Sequence, residues 1–336
     1  MKAVHFSPPG GLDALRMIDL VEPPPPAAGE ITVKLAASSL NYHDYAVVAG
    51  LVPVAGPRIP LTDGAGVVVA VGAAVSEFVE GDSVVSTFFT NWLDGERIQG
   101  NFGDVPGDGI DGYARELVTV PATMFTRAPK NYSHAEAATL TCAGLAAWRA
   151  VAVNGDVMAG ETVLVLGTGG VSVFALQFAK AMGARVIATS SSDKKLDHLR
   201  SLGADHLINY KEHSDWGARA RELSGGRGVD HVIEIGGPGT LAQSLEALRI
   251  GGHIAIVGMR AGFDGQLPAM EIIRKQARLI GLAVGSRRQQ LDMIRAIEAT
   301  GIRPVIDETR FNLDNLAAAF RYQLSGVHVG KIIVNI

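Results

Sequence analysis

Residues 161–210 constrain the fold of this chain more than any other stretch. Thr162–Leu166 is a run of β-branched and aliphatic residues without polar–apolar alternation, the pattern of a parallel strand covered on both faces. Gly167, Thr168, Gly169, Gly170, Val171 and Ser172 follow at once. Residues 173–182 then read as a helix stopped by Gly183, and residues 185–189 as a second strand. This order predicts a βαβ unit whose loop cradles a dinucleotide pyrophosphate. Gly167 lets the chain turn off the strand, Gly169 lets a phosphate approach the backbone, and the helix start aims free N–H groups at the anion. With 40 glycines in the chain, the flanking strand and helix give the match its weight. Ser172 stands where the fingerprint has a third glycine, and it is small enough for that packing position.

The end of the second strand reads on the cofactor. An NAD-binding fold usually places Asp or Glu there, to accept from the ribose 2′-OH. Here Ser190, Ser191 and Ser192 come first, then Asp193, Lys194 and Lys195. Hydroxyls and lysines suit a 2′-phosphate, so the sequence favours NADP over NAD.

At 336 residues the chain is long enough for two domains. Apolar content of 47% against 19% charged suits buried cores and not disorder. The net charge of −4 is spread without like-charged blocks, which argues against nucleic acid and membrane surfaces as partners. No signal-type or membrane-spanning apolar run is visible, so a cytoplasmic protein is expected. Cys142 is the single cysteine, which excludes an intrachain disulfide and a cysteine-rich zinc site.

Residues 1–124 read as β, with clean alternation over 30–35 and a Gly-rich apolar strand over 64–71. A loop rich in Gly, Asp and Asn covers 90–112 and carries Trp92 and Phe102, weak candidates for an apolar lid. From Ser133 the pattern changes to Ala-rich helical stretches over 135–141 and 144–153. Strands then alternate with helices, six strands between 162 and 284, which means a parallel doubly wound sheet. A helix over 289–300 and an apolar strand over 331–336 close the chain, the strand returning to the β domain. The expected division is 1–124 with 286–336, against 125–285.

That order, with several local motifs, resembles the medium-chain dehydrogenase/reductase superfamily. The likeness is carried by residues 60–72, Gly81 and Asp82, residues 112–114, residues 140–148, residues 167–172, residues 202–210 and residues 325–331, and it spans nearly the whole chain. It is strongest to the zinc-independent branch of quinone oxidoreductases and zinc-free alcohol dehydrogenase homologues. The resemblance implies an α/β protein: a Rossmann doubly wound, parallel six-stranded sheet plus a GroES-like β-barrel catalytic domain. Zinc members carry Cys where Asn41 stands and His where Thr62 stands, and a four-cysteine lobe within the 90–112 region, where this chain has no cysteine. No metal is therefore expected.

The resemblance also implies cofactor contacts. They are Thr168, Gly169, Gly170 and Val171 on the diphosphate, beside Gly167 at the turn, and Ser191, Lys195 and Tyr210, beside Ser190, on the 2′-phosphate. Gly236, with Gly237, ends the fourth strand. Val257, Val284, Gly285 and Ser286 fall beside the nicotinamide, Thr141 where a helix meets the cofactor, and Lys331 near a C-terminal contact. The family's usual homodimer would use residues 270–284.

For chemistry, the cluster Asn41, Tyr42, His43, Asp44 draws attention. Carbonyl reduction needs a donor for the developing alkoxide, and without zinc it must be a hydrogen-bonding or acidic group. Asn41 can donate from its amide, His43 can relay a proton near neutral pH, Tyr42 can donate or line the pocket, and Asp44 can orient Asn41 or nearby backbone. Such a site favours quinones, enones and activated carbonyls. Two alternatives stay open: a zinc-free alcohol dehydrogenase or enoyl reductase, and a non-catalytic NADPH-binding sensor or structural protein.

Overall fold

The computed structural model of the chain describes residues 1–97, 100, 102–262 and 264–336, so Ile98, Gln99 and Asn101 of the 90–112 loop lie outside the described residues. The chain divides into two compact units, Met1–Leu145 with Gly285–Ile336, and Ala146–Val284. Among the described residues, no helix is long and apolar enough to cross a membrane.

The first unit opens with an antiparallel pair, β1 (Lys2–His5) and β2 (Arg16–Asp19). Then come β3 (Glu30–Ser39), α1 (Tyr42–Val48), β4 (Ala65–Val71), β5 (Ser83–Ser86), β6 (Leu117–Pro121), β7 (Phe125–Arg127) and α2 (His134–Ala138), and α3 (Leu145–Trp148) starts at the boundary, with Ala146 onward in the second unit. The second unit holds β8 (Thr162–Leu166), α4 (Gly170–Ala181), β9 (Arg185–Ser190), α5 (Asp193–Ser201), β10 (His206–Asn209) and α6 (Trp216–Leu223). It continues with β11 (Val229–Glu234), α7 (Pro238–Ala247), β12 (Leu248–Ile256), α8 (Ala269–Lys275) and β13 (Arg278–Gly281). The chain then rejoins the first unit with α9 (Arg287–Thr300), β14 (Ile306–Asn312), α10 (Leu316–Ser325) and β15 (Lys331–Asn335).

In the first unit the strand path is β14-β15-β3-β4-β5-β7, with β6 also on β3. The alternation along β3 sends Ile31, Val33 and Leu35 into a core with Val68, Val84, Val118 and Phe125. Its far end pairs with β15, Ile333 opposite Ser39. The glycine in β4 has a packing reason: a Cβ on Gly66 would lie 2.0 Å from the carbonyl oxygen of Lys34.

In the second unit all strands are parallel, in the order β10-β9-β8-β11-β12-β13. Every residue of β8 is buried, as its unalternating sequence requires. The order reverses between β8 and β11, and that switch point is where open α/β sheets bind ligands. The fold is thus Rossmann-like in the second unit and GroES-like in the first.

Three expectations shift. Residues 125–145 belong with the first unit, and so does Gly285, because β7 adds to the sheet beside β5 and α2 packs on β3 and β5. A three-residue strand is too short to read from sequence. Helix α4 starts at Gly170 and not at residue 173, which puts Val171 and Ser172 in its first turn. Helix α2 stops at Ala138, and Leu140–Gly144 forms a wider π-type turn, a feature common at functional positions.

One buried pair in the second unit has a consequence for stability. His253 on β12 lies beside His231 on β11 with ring centroids 5.8 Å apart, is fully buried, and both its ring nitrogens lack partners. Burial, His231 and then Arg278 lower its pKa from 6.5 to about 4. His231 itself bonds Glu161 at 2.9 Å. Below pH 6.5 the unfolded chain takes up a proton that folded His253 refuses until about pH 4. Stability is therefore full above pH 6.5 and falls as pH drops through that window, by on the order of 3 kcal/mol at its acid end. His253→Leu is expected to flatten the fall in Tm between neutral pH and pH about 5; an unchanged slope would count against it.

Candidate functional site

The second unit presents the nucleotide cradle. Gly167 takes φ 76°, a left-handed turn off β8, and donates to Thr189 O at 3.0 Å. Gly169 is the N-cap of α4, and a Cβ built there would meet nothing within 4 Å. The backbone is open at that point, as a phosphate would need. Ser172 Oγ donates to Leu166 O at 2.6 Å, so the residue in the third-glycine position ties the helix to the strand end. Thr168 completes the turn between them, and Gly170 and Val171 open α4.

At the end of β9, Ser190 Oγ accepts from Ser192 N at 3.3 Å, and Tyr210 N donates to Ser190 O at 3.0 Å. Two acids stand nearby: Asp193 accepts from Asn209 Nδ2 at 2.8 Å, and Glu212 from the same nitrogen at 3.4 Å. Ser191 and Lys195 are half-buried, and Tyr210 is exposed. At the end of β11 the buried carboxylate of Glu234 organises the turn. Its Oε1 accepts from Gly236 N (2.6 Å), Gly237 N (3.1 Å) and Thr240 Oγ1 (2.6 Å), and its Oε2 from Ser244 Oγ (2.5 Å). Gly236 has no room for a Cβ, which would lie 2.2 Å from Thr240 Oγ1. Val257 N donates to Glu234 O at 2.8 Å. Val284 stands in the left-handed region at φ 44°, and Arg149 donates to its carbonyl at 3.3 Å.

The first unit holds a buried polar centre at the start of α1. Asp44 Oδ2 accepts from Asn41 N at 2.8 Å, and its Oδ1 accepts from Thr62 N (2.9 Å) and Thr62 Oγ1 (2.8 Å). Asp44 is thereby an anchor for two segments. Lys331 Nζ, only 3% exposed, donates to Asn41 Oδ1 (2.5 Å), Leu40 O (2.7 Å) and Asp63 Oδ2 (3.3 Å). Ser39 Oγ also donates to Asp63 Oδ2 at 2.5 Å. Burial raises the Asp63 carboxyl to about 6; the Lys331 ammonium opposes that rise, the Asp44 charge adds to it, and Ser39 and the Asn41 amide oppose it. Asn41 acts on Asp63 from outside hydrogen-bond geometry. Its Nδ2 is buried without a partner, and so is Asp63 Oδ1. Next to this centre, burial pushes the Cys142 thiol up, and the Asp63 charge adds to the effect. The thiol stays protonated, which suits packing and not nucleophilic attack.

His43 Nε2 stands 3.3 Å from Asp108 Oδ2, at ion-pair distance though off hydrogen-bond angles. Its ring stacks on Phe102 (centroids 5.4 Å) and tilts against Phe88 (5.8 Å). Phe89 joins both, and Arg97 lies over Phe89 while pairing with Asp104 at 3.2 Å. Trp92 is buried and donates from Nε1 to Gly95 O at 2.9 Å, so it braces the loop, whereas Phe102 is exposed over His43. Tyr42 packs on Tyr45 with centroids 5.6 Å apart.

Comparison with known proteins gives one family match for most of each unit, the second running on into α9 of the first unit. The alcohol dehydrogenase GroES-like domain profile matches residues 27–130, and the zinc-binding dehydrogenase profile matches residues 170–299. A zinc-type alcohol dehydrogenase-like protein of Schizosaccharomyces pombe is 42% identical over 335 residues, 97% of this chain and 96% of that one. The chain belongs to the medium-chain dehydrogenase/reductase superfamily. Among solved structures, an NAD-dependent alcohol dehydrogenase is 33% identical with TM-score 0.91 over all of both chains. A mycobacterial protein complexed with NADPH is 26% identical with TM-score 0.83, again over all of both chains. The protein is an oxidoreductase of the alcohol dehydrogenase-like kind.

The zinc in the dehydrogenase profile's name meets a donor set here that does not fit it. Among the described residues, no group of three His, Cys, Asp or Glu is placed to hold a metal ion. The oxygens that remain, Asn41 Oδ1 and Asp63 Oδ2, already accept from the Lys331 ammonium, whose charge would repel a divalent cation.

Of the residues that this superfamily's pattern marks for the cofactor, several have other work in the structure. Lys331 spends its donors inside the first unit's polar centre. Thr141 is fully buried, donating to Ser86 O at 3.0 Å and sharing a bond with Ser86 Oγ at 3.0 Å. Ser286 Oγ caps α9 by accepting from Gln289 N at 3.2 Å, and a Cβ on Gly285 would crowd Leu145 at 3.0 Å. Sequence reasoning passed over Asp108 and Glu234. One signal was available for the centre. Lys331 is buried at the head of a strand whose next three residues are apolar and buried, and a charge there demands a buried partner.

Proposed function

We propose that this protein is an NADPH-dependent oxidoreductase that delivers hydride to a quinone, enone or carbonyl substrate without a metal. The observation that carries this reading is the buried, unpartnered donor Asn41 Nδ2, set in a centre whose cation is Lys331. The bound nicotinamide would supply the hydride. Hydride adds to the electrophilic carbon, the carbonyl π pair moves to oxygen, and Asn41 Nδ2 donates to that developing charge. His43, paired with Asp108, gives the proton that completes the hydroxyl. Tyr42 lines the same helix start. An amide is a weaker electrophile than zinc, so acceptors that take hydride readily are favoured over unactivated alcohols.

NADP is favoured because the end of β9 offers Ser190, Ser191 and Lys195, and the nearby acids, Asp193 and Glu212, both accept from Asn209 Nδ2. The relative complexed with NADPH fits this reading; the NAD-dependent relative makes NADH the control. The test is a cofactor-oxidation assay over quinones, enones, aldehydes and secondary alcohols, before and after chelator treatment. Turnover with NADPH that survives the chelator is expected. Chelator-sensitive turnover, or a secondary alcohol outrunning every enone and quinone, would sink the reading.

A homodimer is part of the proposal. Strand β13 ends its sheet, and Leu267, Met270 and Ile273 on and before α8 are exposed. Sedimentation should give a dimer that Ile273→Glu dissociates; a wild-type monomer removes this part.

A further inference from the structure

Asn41 Nδ2 and Asp63 Oδ1 are both buried and unpartnered, and the opposite oxygen of each group is held by one ammonium. We propose that Lys331 is a positioning residue of the reaction: it clamps the Asn41 carboxamide so that Nδ2, and not Oδ1, is presented to the substrate oxygen. This inference rests on the metal-free reductase reading.

A carboxamide has two ends of similar size and opposite polarity. Flipped by half a turn, Asn41 would offer an acceptor to a developing alkoxide and repel it. A neutral donor such as a hydroxyl could tolerate either end. An ammonium has no acceptor and can bind only Oδ1, so charge decides the flip. A cation on Oδ1 also draws density from the amide and strengthens its N–H groups as donors.

The backbone makes the clamp rigid. Strand β15 pairs with β3 next to the start of α1, Ile333 opposite Ser39, and Leu40 N donates to Ile332 O at 3.0 Å. The Cα atoms of Lys331 and Asn41 are thus fixed to one sheet. Asp44 holds the Asn41 backbone, and Lys331 holds its side chain. Asp63 supplies the counter-charge that lets an ammonium stay buried. The superfamily's metal site is replaced here by a fixed internal cation that acts through an amide.

The test is a double-mutant cycle read with an independent probe. Lys331→Met is expected to lower kcat for an enone or quinone about 10- to 100-fold, with NADPH affinity unchanged. In an Asn41→Ala background the same change should lower kcat no further, because the clamped group is gone. In protein labelled with ¹⁵N at asparagine, the side-chain signal assigned to Asn41 by its loss in Asn41→Ala should move in Lys331→Met. Should that variant not fold, Lys331→Met with Asp63→Asn leaves no buried charge uncompensated and is read in the same way. Weakened NADPH binding with kcat intact would return Lys331 to the cofactor. Additive losses in the cycle, or an unmoved Asn41 signal in a protein that turns over, would overturn the clamp alone. A wild type that reduces none of the acceptors overturns the functional reading, whatever the signal does.

Discussion

Asn41→Ala should lower kcat for enone, quinone or aldehyde reduction about 10²- to 10³-fold, the usual loss when one oxyanion donor is removed. NADPH affinity, read by fluorescence, should not change, because the nucleotide cradle lies on α4 and β9 of the other unit. Asn41→Asp is the sharper variant. It keeps the shape and the Lys331 contact but trades the N–H donor for an oxygen, so it should be no more active than alanine. Either variant retaining wild-type kcat would remove Asn41 from the chemistry. The protein should stay folded, since Asp44 continues to hold the backbone at this point.

The second large effect concerns stability. Glu234→Ala should destabilise the second unit by about 3–5 kcal/mol, because four donors lose one buried carboxylate together. Two of them are the backbone N–H groups of Gly236 and Gly237 at the start of α7, where a negative charge also suits the helix end. Glu234→Gln should recover part of the loss, since its oxygen can serve Oε1's partners but its amide group cannot accept from Ser244. Denaturant unfolding of the three proteins measures this directly. Equal stability of wild type and alanine variant would show that water replaces the carboxylate without cost.

The acid arm of stability has a separate origin. It comes from His253, fully buried with neither ring nitrogen bonded, and it should be insensitive to changes at Glu234 because the two residues share no hydrogen bond.

Local sequence fixed what depends on local physics. The unalternating run Thr162–Leu166, the turn at Gly167 and the open Gly169 are each set by a few neighbouring residues, so the βαβ cradle was readable to within three residues at the helix start. The strand count and parallel pairing of the second unit follow from the alternation of strands and helices. The candidate cluster was visible because Asn41, Tyr42, His43 and Asp44 are consecutive at the cap and first turn of one helix.

What tertiary structure decided is who meets whom. Lys331 and Asn41 are 290 positions apart, Lys331 and Asp63 are 268 apart, and only the pairing of β15 with β3 brings them together. Thr141 and Ser286 matched a superfamily pattern for cofactor contacts, yet hydrogen bonds to Ser86 and to the first turn of α9 occupy them. The three residues of β7 carry too short a pattern to announce a strand, and they join the first unit because β5 offers an open edge. Periodicity and turn chemistry act over a few residues, so sequence alone set the elements and the phosphate loop. Desolvation acts through space, so burial of one lysine against one amide and one carboxylate, which defines the polar centre, was settled only when the chain had folded.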